Sequence, residues 1–121
     1  MKITKQTTLA EIKKEFAGQF EGLKLEFFKK PHADGLGSPK KDILESTLKV
    51  GDVNPAVLDT AEMKWSKSST ASEVEQEFER KLGLHVQVFR LTGRVWIETT
   101  TTDSYTLEKQ MSKSLESQTP I

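Results

Sequence analysis

Cysteine is absent from this sequence, and its two histidines lie far apart along the chain. The absence of cysteine excludes disulfide bonds, thiol nucleophiles and thiolate metal ligands formed by this chain. A widely separated pair of histidines does not fit the close ligand spacing of a zinc site. We therefore expect no metal site and no cofactor, and we identify no catalytic residues.

An excess of charge of one sign is also missing, because 18 basic residues balance 18 acidic ones. Proteins that bind nucleic acids favour a basic surface that neutralises phosphates, so we expect no nucleic-acid partner. No apolar run approaches the roughly 20 residues that span a bilayer, and the N-terminus lacks the apolar core of a secretory signal. We accordingly expect no membrane association and a cytoplasmic location.

Hydrophobic residues are not abundant either, at 35% of the 121 positions. This supply is enough for one modest core but not for two independent ones. We therefore expect residues 1–121 to form a single domain.

An internal repeat is the most informative feature that is present. Residues 1–29 align with residues 63–90 at an offset of 62, which falls to 61 after a one-residue gap near Glu21. Identical pairs occur along the whole alignment, among them Met1/Met63, Thr8/Thr70, Glu11/Glu73, Phe16/Phe78 and Gly22/Gly83. We interpret the chain as a duplicated unit.

Each copy predicts a helix followed by a strand. Thr-x-x-Glu capping boxes begin at Thr8 and Thr70, where side chain and backbone satisfy each other's hydrogen bonds at a helix start. Apolar residues then recur at helical spacing until a glycine that is typical of a left-handed helix end. The alternating apolar residues that follow predict strands at residues 23–28 and 84–89.

The two copies continue differently after these strands. The second copy predicts a tight hairpin around Thr92-Gly93, with a threonine-rich returning strand through Thr102. In the first copy, residues 31–41 interrupt the hairpin, and we expect the returning strand at residues 42–50. The unit is thus interpreted as βαββ, present twice.

These units occupy residues 1–50 and 62–103, with a connector at residues 51–61. Side by side they predict an α+β two-layer sandwich, in which a mixed sheet of about six strands carries both main helices on one face. In the alternative, two small separate sheets form, each thinly covered. A C-terminal amphipathic helix at residues 104–117 caps the structure. The apolar residues that predict this helix lie four positions apart: Leu107, Met111 and Leu115.

The repeated signature resembles a family of small uncharacterised bacterial proteins that carry two copies of a Thr-Leu-x-x-x-Phe-x-x-x-Phe-Gly motif. The copy from Thr70 to Phe89 is the closer one, with Thr106-Leu107 closing the second half, and the similarity covers most of the chain. The matching residues are helix-cap, core and turn residues. The resemblance therefore implies the repeated fold and a bacterial source, and it implies no activity.

A lysine-rich loop distinguishes the first copy from the second. Lys29, Lys30, Lys40 and Lys41 flank His32 and two glycines, and such a loop can surround an anion with ammonium groups and backbone amides. Its glycine spacing matches neither the dinucleotide fingerprint nor the P-loop. The segment is therefore either an anion or small-ligand site or a solvated hairpin loop.

Trp96 and the neighbouring residues Thr99, Thr100 and Thr101 are the other candidate site. The side chains of a threonine strand cannot all be buried, and aromatic residues are enriched at the centres of protein interfaces. Core burial is the competing interpretation of Trp96 and of the second tryptophan, Trp65.

The leading hypothesis is a non-enzymatic interaction module that presents a sheet edge or an aromatic face to another protein. The alternative is a small-ligand or anion-binding protein that uses the loop from Lys29 to Lys41. Acidic residues of the second helix, such as Glu75, are expected on a solvated face of that helix.

Overall fold

The structure, a computed structural model, describes residues 1–30, 40–57 and 60–118. Within these ranges the chain is an α+β protein with five strands in two antiparallel sheets and four α-helices. The elements follow the order β1 (Lys2–Thr4), α1 (Leu9–Gln19), β2 (Leu23–Phe28), α2 (Val50–Val53), β3 (Thr60–Glu62), α3 (Ala71–Leu82), β4 (His85–Thr92), β5 (Val95–Glu98) and α4 (Leu107–Gln118).

The two long helices α1 and α3 begin where the capping boxes predict. The Thr8 Oγ1 accepts a hydrogen bond from the Glu11 N–H at 3.2 Å, and the Thr70 Oγ1 accepts one from the Glu73 N–H at 3.1 Å. The Glu73 carboxylate in turn accepts from the Thr70 N–H at 3.2 Å, which completes the box. Gly83 closes α3 in the left-handed region at φ +64°. The two helix starts and the glycine end of α3 are confirmed. In α1 the Thr8 side-chain half of the box is formed, and the residue at the helix end is Phe20 instead of the predicted Gly22.

The core lies between these helices and a three-stranded sheet in the order β2-β4-β5. Leu25 stands opposite Val88 in this sheet, and both are fully buried. Phe16 of α1 and Phe78 of α3 pack on the same face, with ring centroids 5.4 Å and 5.9 Å from that of Trp65. Trp65 is half-buried and packs against this core.

The prediction of one mixed sheet of about six strands is wrong. Strands β1 and β3 pair only with each other among the described residues, with Ile3 opposite Ala61, and they form a separate two-stranded sheet. Each has three residues, so the ladder between them is short, and neither pairs with a described strand of the β2-β4-β5 sheet. The alternative arrangement with two small sheets is the one that the structure has.

The returning strand expected at residues 42–50 is also absent, and a single antiparallel bridge between Phe28 and Ile43 stands in its place. The chain beyond it bonds to the start of α1 instead. The Leu9 N–H donates to the Leu48 carbonyl at 2.9 Å, and the Val50 N–H donates to the Thr7 carbonyl at 2.8 Å. These bonds hold the segment across a helix end, where it cannot extend the sheet.

The start of α4 is hydrogen-bonded to the start of α3 in the same manner. The Ala71 N–H donates to the Tyr105 carbonyl at 3.2 Å, and the Leu107 N–H donates to the Ser69 carbonyl at 2.8 Å. The C-terminal helix is thus confirmed, although one of its expected inward residues, Leu115, is 71% exposed. None of the helices in the described part of the chain has the length and apolar composition needed to cross a membrane.

Candidate functional site

Strand β5 forms one border of the three-stranded sheet, and no other described strand pairs with its outer side. The two-residue hairpin loop makes Arg90 and Ile97 a hydrogen-bonded pair of the β4–β5 ladder. The main-chain N–H and C=O of Trp96, the preceding residue, consequently point away from β4. We call this outward side of Val95–Glu98 the β5 edge.

An aromatic and cationic cluster adjoins this edge on the sheet face away from α1 and α3. The Trp96 side chain is 38% exposed and lies opposite Leu91 in the strand register. The Lys24 ammonium lies 4.7 Å from the centroid of the Trp96 ring and 5.5 Å from that of Phe89. Such cation–π contacts orient the indole and leave a positive charge beside it. We call Lys24, Phe89 and Trp96 the Trp96 face.

The hairpin turn that carries β5 is anchored to the end of α4. Gly93 occupies the left-handed region at φ +62°, as this turn type requires. Its N–H donates to the Ser117 Oγ at 3.0 Å, and the Gln118 Nε2 donates to its carbonyl at 2.9 Å. Beyond the turn, Val95 is 61% exposed. The β5 edge is thus short, but its position is fixed by the ladder with β4 and by the hydrogen bonds between the turn and α4.

The threonines predicted to extend this surface do not continue the strand. Thr99 is 1% exposed, because its N–H and Oγ1 both donate to the Val88 carbonyl, at 3.2 Å and 3.1 Å. The next residues curl into a 3₁₀ turn at Thr100–Thr102, in which Thr100 is half-buried and Thr101 is exposed. The prediction of an exposed strand through Thr102 is wrong, and Thr99 does not belong to the candidate surface.

Glu75 explains why the strand stops there, and the sequence reasoning missed its role. The carboxylate is buried, with 8% of the residue exposed, and its Oε2 accepts from the Val88 N–H and from the Gln87 Nε2, both at 3.1 Å. Without this carboxylate, the Val88 N–H would face the carbonyl of Thr99, the residue that follows β5. The expectation of a solvated Glu75 is therefore wrong.

The lysines of the other candidate site lie at the two described ends of the long loop. Lys29 and Lys30 follow β2, and Lys40 and Lys41 begin a short 3₁₀ turn; all four side chains are exposed. His32 belongs to residues 31–39, outside the described part of the chain. The anion-binding interpretation of this loop remains a prediction.

Other chemistry is sparse in the ranges that the structure covers. No group of three or more His, Asp or Glu side chains is placed there to hold a metal ion. His85 on β4 is half-buried, with its Nδ1 3.6 Å from the Glu79 Oε1 at the surface of α3.

No protein-family model, curated protein or solved structure matches this chain. The resemblance to small bacterial repeat proteins, with the bacterial source that it implies, accordingly stays a prediction.

Proposed function

We propose that this protein is a protein-interaction module that binds an extended segment of another protein along the β5 edge. The outward N–H and C=O of Trp96 carry this proposal, because an edge strand offers such groups to an incoming strand. The added segment would become the fourth strand of the β2-β4-β5 sheet. Main-chain hydrogen bonds would supply affinity irrespective of the segment's sequence.

The Trp96 face supplies the selectivity of this binding. A strand that pairs with β5 directs alternate side chains to that face, where the partly exposed indole offers an apolar contact. The Lys24 ammonium beside the ring favours an acidic neighbour in the same segment. We therefore expect a partner segment in which an apolar residue and an acidic residue lie two positions apart.

The size of the surface indicates a weak and reversible interaction. Strand β5 has four residues, so the added strand gains only a few main-chain hydrogen bonds. Interfaces of this small size belong to the transient class, and a dissociation constant on the order of micromolar is expected. Binding of this kind suits a protein of the cytoplasm that samples several partners, and we propose that location with the function.

Selection of peptides that bind the wild-type protein, from a library of linear peptides, tests the proposal. The selected peptides should shift the amide signals of residues 95–98, and Trp96→Ala should weaken their binding by at least about tenfold, as expected for an aromatic anchor. Leu115→Ser is the matched control, because Leu115 is an exposed apolar residue on a different element. The Leu115→Ser protein should bind the selected peptides with unchanged affinity.

Two outcomes would contradict this function. Peptides that bind wild-type and Trp96→Ala proteins equally would show that the aromatic contact plays no part. Peptides whose contact shifts fall on other elements, with the signals of β5 unmoved, would show that the edge is not the binding surface.

The duplication of the unit is likewise a proposal, and it bears on why the site lies in the second copy. In the first copy, the Leu44 N–H donates to the Phe27 carbonyl at 2.8 Å, and the Lys29 N–H donates to the Asp42 carbonyl at 2.9 Å. These bonds place residues 42–44 beside β2, in the same way that β5 lies beside β4 in the second copy. The matched contacts of the helix starts support the same interpretation, and only the second copy extends its returning segment into a strand.

A further inference from the structure

The last of the three apolar residues that predict the inward face of α4 does not face the protein: Leu107 is buried and Met111 packs against the core, whereas Leu115 is exposed. The residues turned into the protein include Gln110 and Ser114, both buried. Gln110 Oε1 accepts from the Arg90 Nη1 at 2.7 Å, and the Ser114 Oγ donates to the Leu91 carbonyl at 2.7 Å. These polar contacts fix the helix with Leu115 turned outward, 71% exposed.

A groove of about 490 Å³ lies along this outward flank of α4. Met111 and Leu115, one helical turn apart, form its apolar wall together with Leu91 of β4. Gly22 also lines the groove, and an added Cβ there would clash with the Ser114 Oγ. We call this feature the α4 groove, and its volume is in the range of pockets that bind ligands, roughly 300–1,000 Å³.

The rim of the α4 groove has an acidic balance. Glu21 and Glu108 line it with one basic residue, Lys67. Both carboxylates belong to exposed residues. A basic occupant is therefore favoured over an acidic one.

We propose that the α4 groove binds an amphipathic helix of a partner protein, with apolar residues one turn apart and basic residues on its flanks. Leu115 projects from α4 and lines the groove with the half-buried Met111 one turn before it, and residues four positions apart form the rows of side chains that interdigitate when two helices pack. The flexible Met111 side chain can adapt to the partner's side chains. This surface lies on other elements than the β5 edge and is a second binding site.

A set of short fluorescent peptides tests this inference by anisotropy. The main probe is a helix-forming peptide with an apolar stripe at helical spacing and lysines on both flanks. Its acidic twin carries glutamates in place of the lysines, and a second twin of equal composition contains a central proline that breaks the helix. The basic helical probe should bind saturably and more tightly than either twin.

Protein variants locate the binding. Leu115→Ser removes an exposed side chain, so the fold should persist. The affinity of this variant for the basic probe should be about tenfold lower than that of the wild-type protein. Val95→Ser is the matched control, since it removes an exposed apolar side chain from β5, and it should leave the affinity unchanged. Glu108→Lys should weaken the basic probe and strengthen its acidic twin.

Three results would overturn the inference. Equal affinity for the basic and acidic probes would exclude the charge argument. An unchanged affinity in Leu115→Ser would show that the probe binds elsewhere. Self-association of the free protein in sedimentation experiments, abolished by Leu115→Ser, would show that a second copy of the chain fills the groove instead.

Discussion

Replacing Glu75 by alanine is expected to destabilise the fold far more than the position of a glutamate on a surface helix implies. The Glu75 carboxylate accepts two hydrogen bonds at the point where β5 ends. One comes from the Val88 main-chain N–H and the other from the Gln87 amide, and both residues are fully buried.

The magnitude follows from the groups left without an acceptor. A buried donor that loses its partner costs about 1–3 kcal/mol. The Gln87 amide also donates to the Val88 carbonyl at 3.2 Å and keeps that bond, so the main cost arises at the Val88 N–H. Glu75→Ala should therefore lower the free energy of unfolding by about 2–3 kcal/mol. Glu75→Gln retains an acceptor oxygen and should cost less than about 1 kcal/mol.

Urea denaturation followed by circular dichroism measures these differences. The matched control is Glu79→Ala, one turn further along α3, where the side chain is 57% exposed; it should change stability by less than about 0.5 kcal/mol. Amide exchange at Val88 should accelerate in Glu75→Ala and stay slow in the control. Equal losses for the two alanine variants, with unchanged exchange at Val88, would refute the buried role of this carboxylate.

Further outcomes follow from other contacts. Phe78→Ala should lower the free energy of unfolding in urea melts by about 3–5 kcal/mol, since the ring is fully buried. A decrease as small as that of an exposed-residue variant would contradict the assignment of Phe78 to the core. Gly22→Ala should be much more destabilising in thermal melts than Gly93→Ala, because both have positive φ but only Gly22 lacks space for a Cβ; equal costs would disprove the close approach of α4. Hydrogen bonding to Lys81 holds the pKa of Glu77 below its ordinary value of 4.5. Glu77→Gln should thus cost up to about 0.5 kcal/mol at neutral pH, and the cost should vanish as the pH falls through the lowered pKa; a cost that grows on acidification would contradict the sign.

Local signals in the sequence were sufficient for the helix starts and the second hairpin. The side-chain caps at Thr8 and Thr70 need only neighbouring residues to form. The turn at Gly93 is likewise set by its own backbone preference. Predictions of this kind succeed because the interactions that decide them lie within a few positions.

The sheet arrangement could not be predicted in the same way, because distant contacts decide it. A strand was predicted at residues 42–50, yet the carbonyls of Ser46 and Leu48 accept hydrogen bonds from the first residues of α1. The threonine run does not continue β5 beyond Glu98, because the Val88 N–H donates to the Glu75 carboxylate on α3. The face of α4 is set by Gln110 and by partners on β4 and near Thr102.

The candidate site was predicted only in part. Trp96 was singled out for its residue type, and it is the most exposed aromatic side chain of the described sheet face. Its neighbour Lys24 was not, since the contact depends on the register of β2 against β4. The α4 groove was missed because an apolar stripe on a helix ordinarily faces the core.

Amide hydrogen exchange at Trp96 and Ile97 tests the central claim most directly. In the free protein, the Ile97 N–H is bonded to β4 and should exchange slowly, whereas the outward Trp96 N–H should exchange quickly. A selected peptide at saturation should slow exchange at Trp96 markedly and leave Ile97 nearly unchanged. Fast exchange of the Trp96 amide in the saturated complex would contradict strand addition at the β5 edge, and slow exchange already in the free protein would contradict the open edge itself.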